Sequence, residues 1–226
     1  NILFTGGTLR YTGGNVTVNR PVTIMGNSGV EVTGGGATVT LSGAACGSGV
    51  LAKSGAGGLI LTGVGDNTGL GSSVNAGSLA LDKTSSGSVH AIGSNSLTVA
   101  GGTATLTGSG EDQVWDGAWL QVNSGVMDMN GLSETVNHFY GTNGVLTNSQ
   151  VAAASLTMVG TQVGNNNIGA YAGAIGGNIS LVKNGGSGYS INGTANTFTG
   201  TVTVDGTGST DGGDTHGVLG LVSDGS

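Results

Sequence analysis

The feature that most constrains the fold is a series of short segments in which apolar residues alternate with Thr or Ser. Val16 to Val18, Ala37 to Leu41 and Ser96 to Val99 are examples, and Gly, Asn or Ser follows within a few residues. Alternation with a period of two places the apolar side chains on one face of an extended strand, and Gly and Asn favour the turns that end it. The pattern therefore predicts short strands joined by turns.

The composition argues against three kinds of fold: a mostly helical chain, collagen and a scaffold held by internal disulfides. Gly accounts for 49 of the 226 residues, and each Gly in a helix interior costs about 1 kcal/mol relative to Ala. The chain has a single Pro, which excludes collagen. Its single cysteine, Cys46, excludes a scaffold of internal disulfides.

Three all-β folds compete for such a chain: a sandwich, an up-and-down barrel and a β-solenoid. Aromatic residues make up only 4% of the chain, too few to fill a thick core between two sheets. A solenoid needs less bulk, because each coil supplies a few aliphatic side chains to a narrow interior and Gly and Asn form its corners. The composition favours the solenoid.

Two stretches of the chain repeat one arrangement of residues, near 53–79 and 183–206. Each has Lys-x-Gly, then a strand ending in Gly, then Asn-Thr, then a second strand ending in Gly. More than half of the chain separates Lys53 from Lys183, so the period contains several coils.

The stretch from Lys53 to Leu79 resembles the autotransporter-associated β-strand repeat of bacterial passenger domains. The match covers Lys53-Ser54-Gly55, the strand Leu59-Ile60-Leu61 and the ending Val74-Asn75-Ala76-Gly77-Ser78-Leu79. Further segments on both sides are similar to the parts of the family that flank the repeat: Leu3–Thr12, Val39–Gly43, Val122–Gly131 with Glu134–Val136, and Gly141–Asn148. The resemblance implies a right-handed parallel β-helix outside a bacterial cell, and it implies no catalytic residue.

A coil of about 20–25 residues, as in other solenoids, predicts about ten coils in one domain spanning 1–226. With parallel strands about 4.8 Å apart, the rod would be about 50 Å long. Unpaired strand edges at both ends invite pairing. We therefore expect the domain to continue into a longer chain or to stack with other copies into a filament.

The charge of the chain bears on its partners. The net charge is −7, with only five Lys and Arg residues, which is too few for the basic patch of a nucleic-acid binder. The apolar runs are all much shorter than a membrane-spanning helix requires. Nucleic acid is not an expected partner, and no membrane-spanning segment is predicted.

A polysaccharide-degrading β-helix enzyme is an alternative function. A glycosidase needs two carboxylates about 5–9.5 Å apart, and two acidic groups are candidates: Glu111 with Asp112 and Asp116, and Asp211 with Asp214. The three histidines are far apart, and no base is identifiable beside Cys46, which is expected to be a buried, inert thiol or else to pair with another chain. The chain is not predicted to be an enzyme.

Asp205, Asp211 and Asp214 lie in a Gly-rich segment that could supply oxygen ligands to Ca²⁺. Their spacing matches neither the EF-hand nor the Gly-Gly-x-Gly-x-Asp repeat, so a solvated turn between coils is the favoured interpretation and a weak calcium site the alternative. No other cofactor is predicted.

Trp115 and Trp119 are possible ligand contacts, for a sugar or a partner surface. The sequence favours a structural interpretation instead, in which one ring covers the core and the other packs on a turn. The leading hypothesis for the whole chain is an extracellular structural rod of a bacterial surface protein: a stalk, adhesin shaft or fibre subunit. The alternative is a module that binds glycans or a host or matrix surface.

Overall fold

The computed structural model describes residues 1–94, 96–160, 169–184, 188–205 and 219–221. These residues form strands and no helix, so nothing in this part of the chain is a helix that could cross a membrane. The strands in chain order are β1 (Ile2–Phe4), β2 (Thr8–Tyr11), β3 (Val16–Val18), β4 (Val22–Ile24), β5 (Ser28–Val32), β6 (Thr38–Leu41), β7 (Ala45–Gly47), β8 (Val50–Ser54), β9 (Gly58–Gly63), β10 (Gly71–Val74), β11 (Ser78–Lys83), β12 (Ser96–Val99), β13 (Thr103–Leu106), β14 (Trp119–Val122), β15 (Val126–Asp128), β16 (Glu134–Val136), β17 (His138–Tyr140), β18 (Val145–Asn148), β19 (Ala154–Met158), β20 (Gly169–Tyr171), β21 (Ala174–Gly177), β22 (Ile179–Asn184), β23 (Tyr189–Ile191), β24 (Val202–Asp205) and β25 (Leu219–Leu221).

Every ladder between these strands is parallel, and each strand pairs with one in the next coil. Coil length varies: the coil that joins Trp119 to its partner His138 is among the shortest, and the one that joins Tyr189 to Leu219 is the longest between paired strands. The result is a β-solenoid of about nine turns, which confirms the predicted fold class and is close to the predicted number of coils. At about 4.8 Å per coil the described stack is about 40 Å long.

Each coil has three faces, which we call faces 1, 2 and 3 in chain order. Face 2 is the sheet β2-β5-β8-β10-β12-β14-β17, which a bridge from Gly141 to Tyr171 links to the sheet β20-β23-β25. Face 3 is the sheet β3-β6-β9-β11-β13-β15-β18-β21. Face 1 begins as β1-β4-β7 and ends as β16-β19-β22-β24. Face 3 is therefore one ladder of eight strands, and face 2 is one of seven strands up to the bridge.

Between β7 and β16, face 1 has isolated bridges in place of strands, and side chains supply the missing hydrogen bonds. The Asn67 amide accepts from the Ala45 N–H at 2.8 Å and donates to the Ala91 carbonyl at 3.0 Å. The Gln113 amide accepts from the Lys83 N–H and donates to the Lys83 carbonyl, as a neighbouring strand would. A Glu134 carboxylate oxygen accepts from the Val114 N–H at 3.1 Å. All three side chains are buried.

The interior consists of stacked aliphatic side chains from alternate positions of the strands. On face 3, successive coils align the inward-facing residues Leu59, Leu79, Ala104, Met127, Leu146 and Ile175. Aromatic side chains take over in the later coils, where the rings of Phe139 and Tyr171 are 4.3 Å apart. Glycines stand at corners as predicted; Gly55 and Gly63 have φ of 75° and 93°, which residues other than glycine rarely adopt.

All three lysines of the protein are buried, and each lies at or near the end of a strand on a different face. Lys53 is in β8 on face 2, Lys83 in β11 on face 3 and Lys183 in β22 on face 1. The Lys53 ammonium donates to the carbonyls of Ser54 and Gly55 and to that of Ala76 one coil later, at 2.8, 2.9 and 3.1 Å. Buried cations are retained where they are well hydrogen-bonded. These lysines therefore tie corners together.

Candidate functional site

An aromatic cluster stands on the outer surface of face 2, at β14 and β17. The ladder places His138 opposite Trp119 and Tyr140 opposite Gln121. Because side chains alternate across a strand, these four residues share the outward side, while Leu120 and Phe139 point inward and are buried. We call Trp119, Gln121, His138 and Tyr140 the aromatic patch.

The rings of the aromatic patch meet edge to face. The centroid of Trp119 is 5.4 Å from that of His138 and 5.9 Å from that of Tyr140, with interplanar angles of 90° and 84°. Trp119 remains 43% exposed. T-shaped pairs are favourable for aromatic quadrupoles, so the cluster is held in place without being covered.

The surroundings of the aromatic patch favour the neutral forms of its titratable groups. Burial, followed by the positive charge of Lys183, lowers the pKa of His138 below its usual value. Burial raises the pKa of Tyr140. Beside the rings, the Gln121 amide donates to Asn123 Oδ1 at 3.2 Å and lies near the Thr98 hydroxyl. The patch therefore combines apolar rings with uncharged donors and acceptors.

Trp115 is placed differently, although it is as exposed as Trp119, at 42%. It opens a tight turn in which the Ala118 N–H donates to the Trp115 carbonyl at 2.7 Å. Its ring lies over Gly117, where a Cβ would overlap it. Neither tryptophan ring lies in the core, which Ala118 and Leu120 fill at this point. The expectation that one of the two rings covers the core is therefore wrong. The packing of Trp115 on a turn agrees with the other part of that expectation.

A groove of about 410 Å³ lies on the same face, several coils before the aromatic patch. Thr98 pairs with Ser73 and with Gln121, and Ser73 pairs with Ala52, so one outward row connects the groove to the patch. The groove is shallow because its lining side chains are small: Gly6, Thr8, Asn27, Ser28, Gly29, Val50, Ala52 and Ser73.

The interrupted part of face 1 holds Asp66 and His90, with Asp112 and Asp116 beside it. His138 instead belongs to the aromatic patch on face 2. Asp66 accepts from the His90 backbone N–H at 2.8 Å and lies 3.1 Å from its Nδ1. Burial alone would raise the pKa of Asp66, but hydrogen bonds from Thr68 and His90 outweigh it and lower the pKa. Burial and the charge of Asp112 raise the pKa of Asp116. These carboxyl groups lie apart from the groove on face 2.

Cys46 is half-buried, not fully buried as expected. It points away from the core beside the buried Ala45, and its thiol is 3.7 Å from the Asp66 carbonyl oxygen. It forms no disulfide within the chain.

Of the three calcium candidates, the described residues include only Asp205. Asp205 ends β24, and Asp211 and Asp214 lie outside the described residues, as does His216. Within the described ranges, no group of three or more His, Cys, Asp or Glu residues is arranged to hold a metal ion. The calcium site stays a prediction.

The burial of the lysines leaves the arginines as the exposed cations. All five Lys and Arg residues lie in described ranges, and only Arg10 and Arg20 are exposed. Arg10 lies 3.4 Å from Glu31 Oε2. From the sequence, the five cations were only counted, and the burial of the lysines was not predicted. For Lys53 and Lys183 the Lys-x-Gly spacing was the available signal, because a glycine corner leaves its carbonyls open to an ammonium group; Lys83 lacks this spacing.

Comparison with known proteins finds a similarity to a bacterial adhesin. The chain is 31% identical over 207 residues, 91% of its length, to a protein of Brucella suis biovar 1 (strain 1330) named Adhesin BmaC autotransporter. The chain spans 5% of the length of that relative. No family model and no solved structure matches the chain. The relative and the β-solenoid fold are both consistent with an autotransporter passenger.

Proposed function

We propose that this chain is a shaft segment of an extracellular bacterial autotransporter adhesin, and that its role is structural. The observation that carries the proposal is the pair of parallel ladders on faces 2 and 3, each running through seven or more consecutive coils. Backbone ladders of this length resist bending and local unfolding, because each coil is stabilised mainly by its neighbours.

The surface of the chain suits a rod that is exposed to solvent. Thr, Ser and Asn occupy many outward positions, and they keep the rod wettable without rows of equal charge stacked every few ångström, which would repel one another. The similarity to an autotransporter adhesin supports a location on the cell surface. It also supports a non-enzymatic role, since that relative is named as an adhesin.

The first coil supports stacking onto a further coil. Leu9 occupies an inward position opposite Val30, yet Leu9 is 44% exposed and Val30 only 1%. Tyr11, Val16 and Val18 in the same coil are half-buried and pack against the core. An adjoining coil would cover them, either from the same polypeptide or from a second copy that assembles end to end.

Location and shape are tested separately. Antibodies against this segment are expected to label intact bacteria that express the parent protein, and labelling only after permeabilisation would overturn the location. Small-angle scattering of the purified chain is expected to give an elongated particle, and a spherical one would overturn the rod.

Electron microscopy distinguishes the two modes of stacking. Short dispersed rods at high concentration would favour continuation within one polypeptide. Filaments that disappear in a Leu9→Glu variant would favour assembly of separate copies, since a charge on the open end opposes stacking.

A further inference from the structure

We propose that the aromatic patch and the groove on face 2 form one binding site for an uncharged oligosaccharide that lies along the axis of the solenoid. Trp119 would stack against one sugar ring, and Tyr140, nearly perpendicular to Trp119, would border that ring. The following sugars would lie over Thr98 and Ser73 toward the groove. The site goes beyond the structural role, and its failure would leave that role intact.

The first support is the abrupt change in side-chain size along face 2. The outward row that ends in Trp119 and His138 is formed in the preceding coils by Val50, Gly71 and Ser96. The two large rings, Trp119 and His138, therefore rise above a shallow surface of smaller side chains. We call the rings the ledge and the shallow surface the floor.

A second row runs beside it with the same change in size. It passes through Ala52, Ser73, Thr98 and Gln121 to Tyr140. The two rows together make a floor several coils long, and a ligand that is longer than it is wide fits this shape.

The second support is the chemistry of the lining. Flat rings suit the C–H faces of sugars, and the Gln121 amide, the Asn123 amide and the Thr98 hydroxyl can each donate to or accept from sugar hydroxyls. A binding site of this kind is mostly apolar, with a few polar groups that fix the orientation of the ligand.

The third support is charge, which selects uncharged sugars over acidic ones. A sulfated or carboxylated glycan needs Arg or Lys for strong recognition. Here the exposed cations are Arg10 and Arg20, both in the first coils and far along the chain from Trp119. Arg10 shares β2 with Thr8 of the groove, but it lies 3.4 Å from Glu31, whose charge balances its own. Asp116 precedes Trp119 by three residues, and a carboxylate there would repel an anion.

The fourth support is area, which argues against a protein as the occupant. A stable protein interface buries about 800 Å² on each partner. With Trp119 43% exposed and the other three side chains of the patch half-buried, the patch presents roughly 300 Å², given the size of aromatic side chains. That area fits one or two sugar rings.

The decisive experiment compares the two tryptophans, which are equally exposed and differently placed. Calorimetry would measure the binding of cellopentaose, maltopentaose and chitopentaose, and of a heparin pentasaccharide, to the wild-type chain, Trp119→Ala and Trp115→Ala. We expect at least one neutral pentasaccharide to bind, about 30-fold more weakly to Trp119→Ala and with unchanged affinity to Trp115→Ala.

A second variant tests the groove. Ser73→Tyr fills the floor from an outward, half-buried position, so it should weaken the pentasaccharide about tenfold while a disaccharide that occupies only the ledge binds as before. Circular dichroism and thermal melting of each variant confirm that it is folded. Tyr140→Phe, which keeps the ring, should retain most of the binding.

Four results would overturn the site: no binding of any neutral pentasaccharide to the wild type, binding of heparin alone, equal loss in Trp115→Ala and Trp119→Ala, or equal weakening of disaccharide and pentasaccharide by Ser73→Tyr. Sedimentation equilibrium completes the test. A wild-type dimer that Trp119→Ala dissociates would instead assign the patch to a second copy of the chain.

Discussion

The two repeated stretches, which we call the first unit (53–79) and the second unit (183–206), begin on different faces of the solenoid. Corresponding residues nevertheless make the same kinds of contact in both units. Lys53 lies on face 2 and Lys183 on face 1, and both are buried. Asn67, on face 1, accepts from the Ala45 N–H one coil earlier at 2.8 Å. Asn196 accepts from the N–H of Ile175, on face 3, at 3.0 Å. The second unit is therefore displaced by one face.

The displacement shows that the repeated sequence specifies a local path: strand, corner, strand and then an amide that contacts the previous coil. It does not specify a position around the coil. Because coils differ in length, that position drifts between the first unit and the second. The units also differ in strength, because Asn67 is buried and bonds to both adjacent coils, whereas Asn196 is half-buried and its donor bonds Gly193 in its own coil.

The largest expected effect comes from the corner glycines of the two units. A Cβ at Gly63 would overlap the Ser42 carbonyl and one at Gly193 the Gly173 carbonyl, each in the preceding coil. Because backbone cannot move aside cheaply, Gly63→Ala and Gly193→Ala should each lower the free energy of unfolding by about 3 kcal/mol, as measured by denaturant titration.

Gly36→Ala is the matched control, since a Cβ there meets no atom within 4 Å and its φ is not positive. It should change stability by less than about 1 kcal/mol. A neutral effect at Gly193 alone would break the equivalence of the two corners.

Lys53→Met and Lys183→Met come next. Methionine keeps the buried stem but leaves corner carbonyls without their donor, so each variant should lose about 2 kcal/mol. Leu61→Met, a buried position with no polar partner, should cost less than about 1.5 kcal/mol. If Lys53→Met stabilises the chain, the cost of burying the charge exceeds the gain from its hydrogen bonds.

The asparagines provide a finer comparison. Asn67→Ala strands a buried N–H and a buried carbonyl, and it should cost about 2–3 kcal/mol, against about 1 kcal/mol for the half-buried Asn196→Ala. Thermal melting of both variants gives the order. Equal losses would contradict the claim that Asn67 makes the stronger connection between coils.

Further along face 1, the buried Glu134 carboxyl accepts a hydrogen bond from a backbone N–H of the preceding coil, as the Asn67 amide does. Burial raises the pKa of Glu134, although N–H donors of Val114 and Thr135 oppose this shift. When the folded pKa of a Glu exceeds its unfolded value of about 4.3, its protonated form stabilises the fold. That stabilisation is lost as the pH rises from the unfolded pKa through the folded pKa. The stability of Glu134→Gln relative to wild type should therefore increase from about pH 4 upward. A stability difference between Glu134→Gln and the wild type that stays constant with pH would contradict the raised pKa of Glu134.

The smallest expected effect concerns the chemical reactivity of the buried lysine amines and leaves stability unchanged. Acylation of the native chain with an amine-reactive ester at mildly alkaline pH should modify the N-terminus and spare all three lysines. Protection of at least about 100-fold corresponds to an opening free energy of about 2.7 kcal/mol. Peptide mapping gives the extent at each lysine, and guanidinium chloride should remove the protection. Faster modification of Lys183 than of Lys53 would show that the second unit opens more easily.

The sequence predicted the fold class well and the candidate site only in part. Alternation and Gly corners are local properties, so the strands and turns could be inferred from short windows. Trp119 was a candidate without its neighbours, because His138 and Tyr140 reach it only one coil later, and no local pattern announces the length of that coil. Trp115, close by in the same segment, was indistinguishable from Trp119 until its turn was known.

The sequence by itself determined that this chain folds into stacked parallel coils with a narrow aliphatic interior, because each strand needs only its own alternation and each corner its own Gly or Asn. The tertiary structure alone decided which side chains meet across coils. It placed every lysine inside, set Trp119 against two rings, and moved the second unit to another face. Those outcomes depend on how many residues each coil takes, a sum over whole coils that only the assembled ladder reveals.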